Sequence, residues 1–232
     1  MKLRSTIHVI ALLLLVTSSV WTQSQYASSS DSDPAALQLM EQISETYRSA
    51  ESHSIEFTLD MELPGSGMET QNGQLIQKGD KFVLDLGPQK IISDNETVWV
   101  YLKELNEVQI NDADFEEAEE MFAGDFNSPS DIFNLYKSKD FVFAVSNYGN
   151  EEGAAITQIE GKPLDENSEY SKMRLTVIND GNKVKRLKIF SKNGSRFTLN
   201  ILAHDTNYKV EESTFAFDPA KYEGVHVEDL RF

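Results

Sequence analysis

Ile55-Glu-Phe-Thr-Leu-Asp-Met-Glu-Leu63 decides how this chain folds. Ile55, Phe57, Leu59, Met61 and Leu63 occupy alternate positions, with Glu56, Thr58, Asp60 and Glu62 between them. Successive residues of a strand point to opposite faces, so this stretch is a β-strand with one apolar and one solvated face. An antiparallel sheet covered on one side has this pattern. Upstream the periodicity changes. Asp33 can cap a helix whose first position is Pro34, and Leu37, Met40, Ile43, Ser44 and Tyr47 then follow at helical spacing, to about Ala50. Downstream, Pro64-Gly65-Ser66-Gly67 reads as a turn.

Shorter strands continue from Gly73 to Ile110, separated by Gly79-Asp80, Gly87-Pro88, Asp94-Asn95 and Leu105-Asn106. Phe141 to Leu230 repeats the style, with a strand expected at Thr206 to Val210 and tight turns at Asp180-Gly181 and Asn193-Gly194. Between the two sets, Asp112 to Lys139 is acidic at first and then helical, opening at Ser128-Pro129-Ser130-Asp131. The count is about 11 strands, in an antiparallel meander with two helices. The class is mainly β with helices (α+β), and no linker divides it.

Several strands are apolar on both faces. Val98, Val100 and Leu102 alternate with Trp99 and Tyr101, and Phe141, Phe143 and Val145 flank Val142. Such strands need cover on both sides. A helix over 34–50 or 129–139 could supply one cover. The other face could fill a barrel interior or line a cavity, and the spacing leaves both open.

The chain has 232 residues, 21 Lys+Arg against 38 Asp+Glu, a formal net charge of −17, and no cysteine. That charge excludes binding to a phosphate backbone by counterion release, and it opposes lasting adsorption to an anionic membrane. Without cysteine there is no disulfide, thiolate metal site, cysteine nucleophile or lipid-modified cysteine. At the N-terminus, Lys2 and Arg4 precede an apolar run from Ile7 to Val16, too short to cross the roughly 30 Å hydrocarbon core as a helix. Residues 1–24 read as a cleavable export signal, with cleavage between 19 and 27. Residues 25–33 form a polar leader, and 34–232 the folded domain.

The catalytic inventory is thin. His53, His204 and His226 show no metal-ligand spacing, and nucleophile-elbow, phosphate-loop and dinucleotide motifs are absent. His204-Asp205 reads as a pair at a strand end, since neighbours on a strand face opposite ways. Asp112-Ala-Asp114-Phe-Glu116-Glu117 lacks the glycine and closing glutamate of a calcium loop. No catalytic residue, metal site or cofactor is assigned.

These segments together resemble the periplasmic lipoprotein carrier family LolA. The resemblance rests on a helix ending near Tyr47, Ile55-Glu-Phe-Thr-Leu59, and Gly73-Gln-Leu-Ile-Gln-Lys-Gly-Asp-Lys-Phe-Val-Leu-Asp85. It continues through Ile92-Ser-Asp-Asn-Glu-Thr-Val-Trp-Val-Tyr101, Asn106-Glu-Val-Gln-Ile110 and Ser128-Pro-Ser-Asp-Ile-Phe133. Ser213-Thr-Phe-Ala-Phe-Asp218, Tyr222 and Val227-Glu-Asp-Leu-Arg231 complete it. The resemblance implies an incomplete antiparallel β-barrel of about 11 strands with a helical lid, LolA/LolB-like. It also implies a monomeric periplasmic carrier that shields lipoprotein acyl chains between the inner and outer membranes. Its partners would be acylated lipoproteins, an inner-membrane ATP-driven exporter and an outer-membrane receptor, with only transient membrane contact and no nucleic acid. Two other functions stay open: a related unclosed barrel that binds another lipid or senses envelope stress, and a secreted hydrolase.

By position, the acyl chains would meet Phe57, Leu59, Met61, Phe82, Leu84 and Leu86, together with Trp99 and Tyr101 or alternatively Val98 and Val100. The lid would present Leu37, Met40, Ile43 and Tyr47, with Ile132, Phe133 and Leu135. Relatives hold the lid closed through an arginine just before the Phe82 strand. Here Gly79 stands between Lys78 and Asp80, and lysine lacks the planar fork of donors, so the latch is Lys78 in a weaker form or is absent.

Overall fold

Twelve strands form one sheet in the computed structural model, which describes residues 28–113, 137 and 139–231. The chain enters through helix α1 (Pro34–Ser49) and then runs β1 (Ser52–Leu63), β2 (Gly67–Lys78), β3 (Lys81–Asp85), β4 (Gln89–Ser93), β5 (Thr97–Leu102) and β6 (Glu107–Asp112). The second set is β7 (Phe141–Glu151), β8 (Ala154–Pro163), β9 (Tyr170–Ile178), β10 (Lys183–Ser191) and β11 (Arg196–Asp205), and β12 (His226–Asp229) follows near the end. The sheet order is β12-β6-β5-β4-β3-β2-β1-β11-β10-β9-β8-β7. Two antiparallel meanders are therefore joined where β11 returns beside β1, and the outermost strands β7 and β12 leave the barrel unclosed.

Three features depart from the sequence expectation. There are twelve strands rather than about 11, and β12 runs parallel to β6. Residues 206–210 make no strand, only a single bridge from Asn207 to Ser52. The expected strand at 206–210 gives way because the chain must leave the sheet after β11 to reach its far side. There, Phe215 and Phe217 are buried and Tyr222 packs with them against Val83, Ile92, Tyr101 and Val108. This C-terminal segment covers the second face of β3 to β6. The expected helix over 129–139, with Ile132, Phe133 and Leu135, lies outside the described residues, as do the export signal and residues 25–27.

Local chemistry explains the elements that hold the site. Asp33 accepts a hydrogen bond from the Ala35 amide at 2.9 Å, Pro34 fills the first helical position, and Ala36, Met40, Ile43, Ser44 and Tyr47 are buried along one stripe of α1. Asn95 and Asn106 adopt positive φ at the hairpin turns, which asparagine tolerates better than most residues. Gly73 lies opposite Phe57 in the β1–β2 pairing, and a Cβ built on Gly73 would sit 2.2 Å from Phe57 Cζ. The ring therefore lies across bare backbone. Gly73→Ala should destabilise the fold by about 1–3 kcal/mol in urea unfolding, as overpacked cores do. The same change made in a Phe57→Leu background should cost much less, because the obstructing ring carbons are gone.

Candidate functional site: a cavity beneath helix α1

Apolar side chains of both meanders and of α1 meet on the inner face of the sheet. Ile43 and Tyr47 pack with Ile55, Phe57, Leu75, Phe82, Leu84, Ile91, Val98, Val100 and Val177. Ala36 and Met40 pack with Phe143 and Ile159. Between the helix and the second meander is a cavity of about 40 Å³. Met40 and Ile43 form its roof, and Phe143, Ile159, Gly161, Met173, Leu175, Val184, Leu187, Leu199 and Ile201 its walls and floor. Pockets that take small-molecule ligands usually offer about 300–1,000 Å³, so the cavity as it stands is too small for a long apolar ligand. Met40 and Met173 border it with unbranched thioether chains, which refill irregular space at little cost.

The helix is held at both ends and along one flank. At its N-terminal end the Asp33 amide donates to the Phe143 carbonyl at 2.7 Å, and the Phe143 amide donates to Ser32 Oγ at 3.0 Å. The Val145 amide donates to Asp33 Oδ2 at 3.3 Å. These bonds satisfy three polar groups on the open edge of β7 with the chain that leads into α1. On the flank, Asn182 Nδ2 donates to Gln42 Oε1 at 3.0 Å. At the C-terminal end, His53 Nε2 lies 2.8 Å from the Tyr47 carbonyl oxygen, and His53 Nδ1 lies 3.0 Å from His204 Nε2. The Tyr47 ring stacks on both imidazoles, with centroids 5.2 Å and 4.7 Å away. Burial holds the His53 pKa below the usual imidazole value, against the opposing hydrogen bond to Tyr47. Burial, the neighbouring His53 and Lys183 push His204 down to about 4, with Asp205 opposing.

The structure divides the residues that sequence reasoning proposed for the site. Phe57, Phe82, Leu84, Val98 and Val100 are buried on the inner face around Ile43 and Tyr47, with Leu59 and Leu86 packed at the margin. Met61 is half-buried nearer the tip of β1, outside these clusters. Trp99 and Tyr101 are on the opposite face, under the C-terminal cover, where Tyr101 packs against Phe217 and Tyr222. Of the lid residues, Met40 and Ile43 face the cavity, Tyr47 closes the end of the helix, and Leu37 packs beside Phe143 and Ile159. Lys78 is turned to the outer face, like Ile76 two residues before it. Its ammonium donates to Glu212 at 2.8 Å and lies 3.5 Å from Glu51, so it tethers the C-terminal cover, and other groups hold α1.

Sequence reasoning missed the walls and floor of the cavity, all contributed by β7 to β11; none of Phe57, Leu59, Met61, Phe82, Leu84, Leu86, Val98, Trp99, Val100 and Tyr101 lines it. It also missed the pairing of His53 with His204. Alternation in Met173-Arg-Leu-Thr-Val177 and Phe197-Thr-Leu-Asn-Ile201 was the available signal for the cavity wall. No local signal could join two histidines 151 residues apart. The polar face of the same strands is laced with ion pairs. Lys172 and Arg174 both bond Glu160 and, with Lys188, surround the Phe190 ring. Among the described residues no group of three or more His, Asp and Glu side chains could hold a metal ion, and no helix is long and apolar enough to cross a membrane.

An uncharacterized conserved protein from Thermus thermophilus shares the fold with a TM-score of 0.55 and 10% identity, covering 84% of this chain and 99% of that one. A LolA superfamily protein from Nitrosomonas europaea superposes with a TM-score of 0.42 at 13% identity, over 79% of this chain and 98% of that one. Lipoprotein LppX from Mycobacterium tuberculosis gives 0.46 at 13% identity, over 78% and 100%. No curated protein matches the chain. The family model of the outer membrane lipoprotein carrier protein LolA matches residues 48–218, and the chain belongs to the LolA family.

Proposed function

We propose that this protein is a periplasmic carrier that shields the acyl chains of lipoproteins in the cavity beneath α1. Exported by the signal at residues 1–24, it would take its cargo from an ATP-driven exporter of the inner membrane and deliver it to an outer-membrane receptor. The observation that carries this reading is the apolar cavity between the inner sheet face and a helix held mainly at its ends and edge. Each methylene exposed to water costs about 0.8 kcal/mol, so bare acyl chains would cost on the order of tens of kcal/mol. A carrier must remove that cost and still release its cargo. A seated helix over an apolar floor does both: it gives way to acyl chains and closes again after they leave. Phe57, Leu59, Phe82, Leu84, Leu86, Val98 and Val100 would extend the floor once the helix lifts. Binding alone performs this task, with no bond of the cargo broken.

The test is whether a purified triacylated lipoprotein leaves inner-membrane vesicles when the protein is added. Co-elution of cargo with the protein is the expected result, together with accumulation of lipoproteins in the inner membrane when the protein is depleted. Unchanged sorting on depletion, with no lipid detected on the protein by native mass spectrometry, would sink the proposal.

A further inference from the structure

His53 and His204 join the end of α1 to the sheet through a chain of hydrogen bonds. A carbonyl oxygen only accepts, so the contact with Tyr47 places a proton on His53 Nε2. The Nδ1 of a neutral ring so protonated carries a lone pair, so His204 Nε2 must donate across the 3.0 Å contact. The contact holds one hydrogen between the two rings, so it survives with one of them charged; with both charged, the N–H of His53 Nδ1 and the N–H of His204 Nε2 would face each other and the rings would separate.

From this geometry we propose that the His53–His204 pair is a proton-operated latch that seats the C-terminal end of α1 and frees it on acidification. The groups around the pair favour the neutral state. From α1 comes the buried Tyr47, whose hydroxyl is pushed up by burial and stays uncharged. From β10 comes Lys183, which opposes a charge on His204, while Asp205 on β11 favours one. Glu51, just before β1, reaches outward to Lys78 and is largely exposed. His53 itself is buried, so its charged form is disfavoured.

The sign follows from linkage. Both imidazoles take up protons less readily in the seated state than in water, where their pKa is 6.5. The advantage of the seated helix is therefore complete above that value. It is lost as pH falls below 6.5 toward about 4, where His204 titrates in place. A single such histidine shifts the opening equilibrium about tenfold per pH unit, so His204 alone supplies about 100-fold by roughly pH 4.5.

Hydrogen exchange of the full chain, read by mass spectrometry and corrected for the intrinsic pH dependence of exchange, tests the latch without any cargo. Opening of the peptide covering residues 34–49 should rise about 100-fold or more between roughly pH 7.5 and 4.5, while β1 to β5 keep their protection. The double variant His53→Gln/His204→Phe keeps a donor for the Tyr47 carbonyl and a ring beside Tyr47, but neither replacement titrates. Its helix should open equally at both pH values. His204→Phe alone should show a shallower slope than the native chain. No selective opening in the native chain would overturn the latch. So would a native slope in the double variant or, if that variant does not fold, in His204→Phe. The latch goes beyond the carrier reading and fails separately from it: selective release of α1 in a protein that takes no acyl chain would remove the carrier and leave the latch.

Discussion

Joining α1 to the sheet by a covalent bridge should abolish loading of acylated cargo. Gln42 and Asn182 already touch at 3.0 Å across the flank of the helix, and the native chain has no cysteine. Gln42→Cys/Asn182→Cys therefore gives two unique thiols within reach of a short reducible cross-linker. Asn182 has a positive φ, so the change to cysteine costs about 1 kcal/mol or more at that turn, and the uncross-linked double variant is the proper reference. With the helix fixed, the 40 Å³ beneath it admits no acyl chain. Uptake of a fluorescent triacylated peptide should fall by about 100-fold or more and return after reduction, since the binding-competent state has been removed from the ensemble. Undiminished uptake by the bridged protein would mean that cargo enters elsewhere and that α1 is a fixed part of the core.

The second large effect is expected at Phe143. Its side chain is 2% exposed and joins the packing of Ala36 and Met40 to the wall of the cavity. Phe143→Ala should destabilise the protein by about 3–5 kcal/mol in guanidinium unfolding, because truncation removes buried area and leaves a void that rigid strands cannot close. The backbone bonds between Phe143 and Ser32–Asp33 survive, so the N-terminal tether of α1 remains. The same variant should bind an apolar fluorescent probe more tightly than the native chain, because the void adjoins the existing cavity. A stability loss with no gain in probe binding would mean that the strands collapse into the space. Gly161 gives an internal check. A Cβ built there would meet the Phe143 ring at 2.6 Å, so Gly161→Ala should be harmful in the native protein and much less so in Phe143→Ala.

The two faces of each strand in the first meander were legible because strand periodicity is short-range. In Thr97-Val-Trp-Val-Tyr-Leu102, the need for two covers follows from alternation alone. Alternation cannot say which face is inner, and Trp99 and Tyr101 show the consequence. Their position depends on whether the helix or the C-terminal segment lies over them, and both covers are distant in sequence. The lid helix was legible for a different reason: a cap, a proline at the first turn and an apolar stripe are all local signals. Its fastening was not. Lys78 is beside the expected latch position in sequence, yet the pleat of β2 sends it outward to Glu212.

The sequence by itself determined the mainly β class, the amphipathic helix before the first strand, and the absence of cysteine chemistry. It also carried the resemblance that the family model confirms over residues 48–218. Each of these depends on residue type, order or spacing within a few turns or strands. Only the tertiary structure decided that β11 pairs with β1, that β12 closes parallel on β6, and that residues 210–225 cover the outer face. It alone placed the cavity against the second meander and brought His53 to His204. These outcomes depend on contacts between segments up to about 150 residues apart, where loop closure is opposed by chain entropy and is recovered only through the packing of surfaces that no local pattern pairs.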